Sequence, residues 1–135
     1  MKSSKNENLT IKIKDLQPKL RNITITFIVL EKRKTFQTQH SQTLSTFLVA
    51  DETAAIQFTI WDYDCSYIKE GDILFLTGGY TFLYKDQLVL YTSKYGSVSR
   101  IGEFTMIYVE NNMSEYRWNS DQNGKWVSTP PNQIN

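Results

Sequence analysis

The middle of the chain carries strand periodicity, and that is what most limits the folds open to it. Residues 23–30, Ile-Thr-Ile-Thr-Phe-Ile-Val-Leu, are rich in β-branched side chains and alternate, so Ile23, Ile25, Phe27 and Val29 share one face. Thr43 to Ala50 reads as a second strand, Asp51-Glu52-Thr53 supplies turn chemistry, and Ala54 to Asp62 returns as a third. Ile73 to Tyr84 forms a long fourth strand, interrupted at Gly78-Gly79, where adjacent glycines predict a bulge or sharp bend. Lys85-Asp86 makes a tight turn into a fifth strand, Gln87 to Thr92, and Phe104 to Val109 has the composition of a further strand. Tyr63 to Lys69 fits a helical turn that Glu70-Gly71-Asp72 breaks, and Glu31 to Gln42, basic at Lys32-Arg33-Lys34, reads as the connection between the first two strands. The expectation is an all-β domain: a five-stranded OB-fold barrel with a short helical segment between strands 3 and 4. Spacing alone also fits an SH3-like barrel or a small sandwich.

These strands occupy residues 10–110, with basic and acidic residues in balance and no internal repeat. Residues 1–9 and 111–135 are polar and read as a flexible N-terminus and a polar, flexible tail. The longest purely apolar run, Phe27 to Leu30, is far too short to span a bilayer, so no membrane partner is expected. No apolar segment near the N-terminus suits a secretory signal. The single cysteine, Cys65, excludes an internal disulfide and a multi-cysteine metal site. A net charge of +1 argues against nucleic-acid binding by bulk electrostatics, yet 3 Trp, 8 Tyr and 7 Phe are many aromatics for a chain of 135 residues.

Strand parity separates those aromatics. In the third strand Ile56, Phe58 and Ile60 share one face, while Gln57, Thr59 and Trp61 share the other. In the fifth, Leu88 and Leu90 oppose Gln87, Val89 and Tyr91; beyond the glycine break, Tyr80, Phe82 and Tyr84 oppose Thr81 and Leu83. If the strands are neighbours, Trp61, Tyr80, Phe82, Tyr84 and Tyr91 form one outward shelf, flanked by Lys85 and Lys94. Unstacked bases expose flat π-faces, so such a shelf suits single-stranded nucleic acid and needs few charges. Strand aromatics in small barrels also serve as core or edge cover; Trp61 stands apart because its own strand alternates so cleanly.

The stretch Lys14-Asp15-Leu16-Gln17-Pro18-Lys19-Leu20-Arg21-Asn22 and then Phe27-Ile28-Val29-Leu30-Glu31 resembles the opening of the eukaryotic single-OB-fold single-stranded DNA-binding proteins, the B subunits of the SOSS complex. The likeness continues through Val49-Ala50-Asp51, Trp61-Asp62, Gly71-Asp72-Ile73, Leu76-Thr77, Gly79-Tyr80 and Leu90-Tyr91-Thr92 to Ile101-Gly102-Glu103-Phe104, with Met106 and Tyr108 beyond. It covers residues 12–115 in colinear order. The resemblance implies single-stranded DNA binding in DNA-damage signalling and double-strand-break repair, in the nucleus. It implies partnership with a large helical scaffold subunit related to the Integrator complex and a small third subunit. By position, the base-stacking aromatics are Trp61, Tyr80, Tyr84 and Tyr91, and Glu103 and Phe104 fall in the scaffold-contacting segment. This sequence departs from the family where relatives tend to be basic, at Gln37, Gln39, Ser45, Leu48, Phe75 and Gly78, which implies fewer phosphate contacts and a shallower salt dependence. Phe82 stands where a small residue is usual and is expected to add a ring to the shelf. The long Pro/Gly-rich tail common in relatives is missing.

Other features carry less. His40 lies in a polar loop with no nucleophile near it in sequence, Cys65 suits a small buried position, and Asp62 with Asp64 suits turn capping better than metal binding. Asn8, Asn22 and Asn112 head glycosylation sequons that have no consequence without a secretory signal. Trp118 and Trp126 fit a partner anchor and a fold-back onto the barrel equally. The reading is a non-enzymatic single-stranded DNA-binding protein without cofactors. The rivals are an OB-fold protein-interaction subunit with weak or absent DNA binding and, less favoured for want of a catalytic constellation, an enzyme or small-ligand-binding barrel.

Overall fold

A computed structural model describes residues 9–37, 42–61, 67–103 and 105–131, with the backbone alone at residues 94 and 95. Strands β1 (Leu9–Thr10), β2 (Ile23–Gln37), β3 (Thr43–Ala50), β4 (Ala55–Trp61), β5 (Asp72–Tyr84) and β6 (Gln87–Glu103) form one sheet in the order β1-β2-β3-β4-β6-β5. Pairing of β2 with β5 closes it into a barrel, since Ile25 sits opposite Leu76 and Phe27 opposite Leu74. A separate two-stranded sheet joins β7 (Arg117–Ser120) to β8 (Trp126–Thr129). The order, with β4 and β6 parallel, is that of an all-β OB-fold.

Ile23, Ile25, Phe27 and Val29 are buried as their alternation requires, and they meet Ile56, Phe58, Leu74, Leu76, Leu88 and Leu90 inside the barrel. Phe58 is central, its ring centroid 5.0 Å from Phe27 and 6.5 Å from Phe47. Ile13, Leu16 and Ile68 pack into the same core. Fully buried Asp51 fastens this end: its carboxylate accepts hydrogen bonds from the backbone N–H of Ile13 (2.9 Å), Thr53 (2.8 Å) and Ala54 (3.2 Å) and from the Thr53 hydroxyl (2.6 Å).

Several expectations need correction. The strand count is larger than five, because β1 adds to the sheet and the C-terminal residues make their own pair. The first strand runs on to Gln37, where Thr35, Phe36 and Gln37 pair with Ser45, Leu44 and Thr43, so most of the supposed connecting loop is sheet. The fifth strand extends to Glu103, and residues 105–109 are not a strand. Of the helical segment expected at Tyr63 to Lys69, residues 62–66 lie outside the described residues, and no helix forms in the remainder. The expected break at Gly78-Gly79 is a register shift: Thr77 pairs with Ser97 but Gly79 with Thr92. Gly78 has φ +68°, and a Cβ there would lie 2.8 Å from Gly96 Cα, so a side chain fits neither the conformation nor the space.

The largest correction concerns the C-terminal residues. The expected flexible N-terminus lies, but for Leu9, outside the described residues, but the tail from 111 to 131 is packed on the barrel. Met113, Ser114 and Trp118 are buried. The Ala55 N–H donates to Asn111 O (2.8 Å), and the Asn112 side chain caps the short 3-10 turn Met113–Glu115 by accepting from Ser114 N–H (3.0 Å). Ser114 Oγ accepts from Gln57 N–H (2.8 Å) and donates to Leu88 O (2.6 Å), inserting a side-chain rung beside the parallel β4–β6 pair. Polar composition concealed this because Met113, Tyr116, Trp118 and Trp126, which reach the core, are scattered among polar residues.

Candidate nucleic-acid interface

Register places the outward side chains of four strands in rows. Across one row, Thr46 of β3, Thr59 of β4, Tyr91 of β6 and Tyr80 of β5 are successive partners. The next row is Leu48, Gln57, Val89 and Phe82, and Tyr84 follows opposite Gln87. Leu44 pairs with Trp61 on the other side of the first row. Trp61, Tyr80, Phe82, Tyr84 and Tyr91, which sequence parity assigns to one shelf, therefore do share one face of the barrel.

Their environments differ. Phe82 and Tyr84 are 52% and 57% exposed, whereas Trp61, Tyr80 and Tyr91 are half-buried. Tyr80 and Tyr91 stack on each other, with centroids 5.1 Å apart and planes 16° apart, so they present one paired platform rather than two. Burial, with Tyr80 and Tyr84 alongside, pushes the Tyr91 phenol up to about 12, further from ionisation than an ordinary tyrosine. The Trp61 indole nitrogen is buried without a hydrogen-bond partner among the described residues, so the inner edge of that ring is set into the sheet.

Lys85 lies on the β5–β6 turn with Asp86, both at left-handed φ (52° and 67°), as a tight two-residue hairpin requires. Its ammonium sits 5.3 Å from the Tyr84 centroid, beside the shelf as expected. Lys94 is on β6, and its side chain lies outside the described residues. Glu103 is at the far end of β6, where it pairs with Arg100, which also binds Asp72 at 2.9 Å; it is not part of the aromatic face. Phe104, His40, Asp62, Asp64 and Cys65 lie outside the described residues. Among the described residues no group of carboxylates, histidines or cysteines could hold a metal ion, and no helix is long and apolar enough to cross a membrane.

The structure adds Phe36 to the face. It is 48% exposed and pairs with Leu44, itself the partner of Trp61, so Phe36, Leu44 and Trp61 form a third row. Alternation was the available signal, but it had to be carried past Leu30 through a charged stretch that reads as loop. Neighbouring Lys34 is exposed, its N–H donating to Thr46 Oγ1 (3.1 Å). Of the other two cations there, Arg33 is paired with Glu31 (2.5 Å) and Lys32 donates to Ile68 O (3.2 Å).

The chain resembles known proteins over most of its length. A family model described as single-stranded DNA binding protein Ssb-like, OB fold, matches residues 3–100. The single-stranded DNA binding protein Ssb of Saccharolobus solfataricus is 30% identical over 95 residues, which are 68% of this chain and 62% of that protein. The chain thus spans less than two thirds of that relative's length. Among solved structures, a hypothetical protein of Arabidopsis thaliana superposes with a TM-score of 0.68 at 23% identity, covering 90% of this chain and 93% of that one. A domain of replication protein A from Methanococcus maripaludis superposes with a TM-score of 0.59 at 23% identity, covering 70% of this chain and 98% of that one. The two structures share the fold, and the matched model shows that the chain belongs to the Ssb-like family of OB-fold single-stranded DNA-binding proteins.

Proposed function

We propose that the chain binds single-stranded DNA by stacking bases on the face built by Trp61, Tyr80, Phe82, Tyr84 and Tyr91. The reading extends to a role in the DNA-damage response and double-strand-break repair, as the non-enzymatic, DNA-binding subunit of a SOSS-like complex in the nucleus. The observation that carries the binding reading is the register, which gathers on one outward face rings that a core-filling pattern would turn inward. Each stacked base contributes ~1–3 kcal/mol whatever its identity, so the near-neutral charge is no obstacle. Lys85, whose ammonium lies beside the Tyr84 ring, and Lys94, three residues after Tyr91 in sequence, are assigned to the phosphate backbone in this reading.

For the complex, support comes from the resemblance around Ile101-Gly102-Glu103-Phe104 and from the surface nearby. Ile101, Ile107, Tyr108 and Val109 are all exposed, a concentration of apolar side chains suited to a protein partner. Glu103 and Phe104 contact the large helical scaffold subunit in this reading, and the small third subunit joins through that scaffold.

Fluorescence anisotropy with oligo-dT, duplex of equal length and RNA, at two salt concentrations, tests the binding. Micromolar or tighter oligo-dT binding is expected, weakened about 5- to 100-fold by Trp61→Ala or Tyr80→Ala. Absence of any preference for single strands overturns it. The exposed apolar segment favours one alternative, a protein-interaction subunit that binds DNA weakly or not at all. That alternative holds if a scaffold pull-down fails with Phe104→Ala while the wild type shows no single-strand preference.

A further inference from the structure

Beside the aromatic face lies a cleft of about 500 Å³ that the shelf does not account for. One wall is the segment 19–22, with Lys19 and Arg21; the other is formed by Gly78, Gly79, Tyr80 and Phe82. The segment is held firmly. Asn22 takes a left-handed φ of 55°, which asparagine adopts readily, and Lys19 one of 68°, which a lysine keeps where neighbouring contacts hold it. Thr81 supplies that enforcement: its N–H donates to Leu20 O (3.1 Å), its carbonyl accepts from Lys19 N–H (3.2 Å), and its hydroxyl accepts from Leu20 N–H (3.0 Å) while donating to Gln17 O.

The chemistry of the walls is specific. Lys19 and Arg21 are exposed, and among the described residues neither joins an ion pair, whereas Lys12, Lys14, Arg33, Arg100 and Arg117 all do. The Lys19 ammonium sits 5.9 Å from the centroid of Trp126, so a ring from the C-terminal hairpin holds this cation at the edge of the cleft. The hairpin is itself anchored, with Trp118 buried and its N–H donating to Asp86 O (3.3 Å). Opposite the cations, Gly78 and Gly79 line the cleft, their Cα faces packed against Gly96 and Leu76, so no side chain from this stretch intrudes between the cations and the rings of Tyr80 and Phe82. Two cations outside any ion pair on one wall and two aromatic rings on the other match a nucleotide whose base stacks while its phosphate turns away.

We propose that this cleft receives the sugar-phosphate backbone of single-stranded DNA as it leaves Tyr80 and Phe82, with Lys19 and Arg21 each contacting a phosphate and Trp126 positioning Lys19. The inference rests on the single-strand reading above and adds a phosphate subsite to it. In the full chain, oligo-dT affinity is measured across a salt series for the wild type, Lys19→Ala/Arg21→Ala and Lys14→Ala, a cation outside the cleft. Each lost phosphate contact flattens the log–log salt slope by ~0.7, so the double variant is expected to be shallower by about 1.4 while Lys14→Ala matches the wild type. Trp126→Ala is expected to flatten the slope by up to half that amount, and Trp126→Phe, which keeps a ring, to restore it. Circular dichroism confirms that each variant is folded. If the wild type prefers single strands and Tyr80→Ala weakens binding, yet the double variant keeps the wild-type slope, the cleft assignment falls alone. If the wild type shows no single-strand preference, both fall together.

Discussion

Phe82 and Tyr80 stand two residues apart on the same strand and face, yet their substitution should report different things. Tyr80 rests against Tyr91, so Tyr80→Ala removes a ring pair worth ~0.5–1.5 kcal/mol of stability along with a stacking platform. Phe82 lies opposite Val89 and is more than half exposed, so Phe82→Ala should leave the unfolding midpoint within about 2 °C of wild type. A fivefold or greater loss of oligo-dT affinity in that variant, read by anisotropy, then isolates base stacking, and unchanged affinity removes Phe82 from the face. Asp72 governs a different property. Burial opposes its ionisation, but the Arg100 guanidinium at 2.9 Å and the Lys69 N–H at 2.9 Å outweigh it and hold the carboxyl below its usual value. The unfolded chain therefore binds more protons near the ordinary carboxylate pKa of ~3.9, so this contribution to stability is full above that pH and is lost as pH falls through the folded value. Urea denaturation of Asp72→Asn should show a deficit at pH 7 that closes under acid conditions; a deficit unchanged with pH would refute the assignment. The outward rings were legible from sequence because parity assigns a face within each strand, and the pairing of β4 with β6 and β6 with β5 then brings those faces together. Phe36 was not, because what keeps its segment extended is backbone pairing with β3 rather than side-chain pattern.

Among the elements, the strands that bury one face are the ones sequence locates best. Thr43–Ala50 is found with its observed bounds, and the Lys85-Asp86 turn falls where its chemistry puts it. Where β2 and β6 run on beyond their apolar stretches, charged and polar residues weaken the side-chain signal, since these extensions are maintained by hydrogen bonding to their neighbours. The C-terminal strap fails for the opposite reason: its buried residues are too few and too scattered to give a period. Ser114 shows how much such an element can do, because its hydroxyl satisfies both Gln57 N–H and Leu88 O at the parallel β4–β6 seam. Ser114→Ala leaves two buried backbone groups unpaired and is expected to cost about 2 kcal/mol in urea denaturation, with the slope of the transition unchanged. A cost below about 0.5 kcal/mol would mean that the seam is satisfied some other way.

At the scale of the molecule, a neutral barrel with an aromatic face makes a quantitative electrostatic prediction. Lys19, Arg21, Lys34 and Lys85 are the exposed cations that border the face and its cleft. With Lys94 these make about five phosphate contacts, giving a log–log salt slope near −3.5, so oligo-dT affinity should fall about 130-fold between about 50 and 200 mM salt. A much steeper slope would show that charge, not stacking, dominates. The β5–β6 ribbon differs in surface character on the two sides of one close approach. On one side of the Gly78–Gly96 contact it carries Tyr80, Phe82, Tyr84 and Tyr91; on the other it leads to Glu103 and the exposed apolar segment beyond. On the proposed reading, separation-of-function alleles are to be sought on opposite sides of that glycine crossing, within the same two strands, rather than on different strands of the barrel.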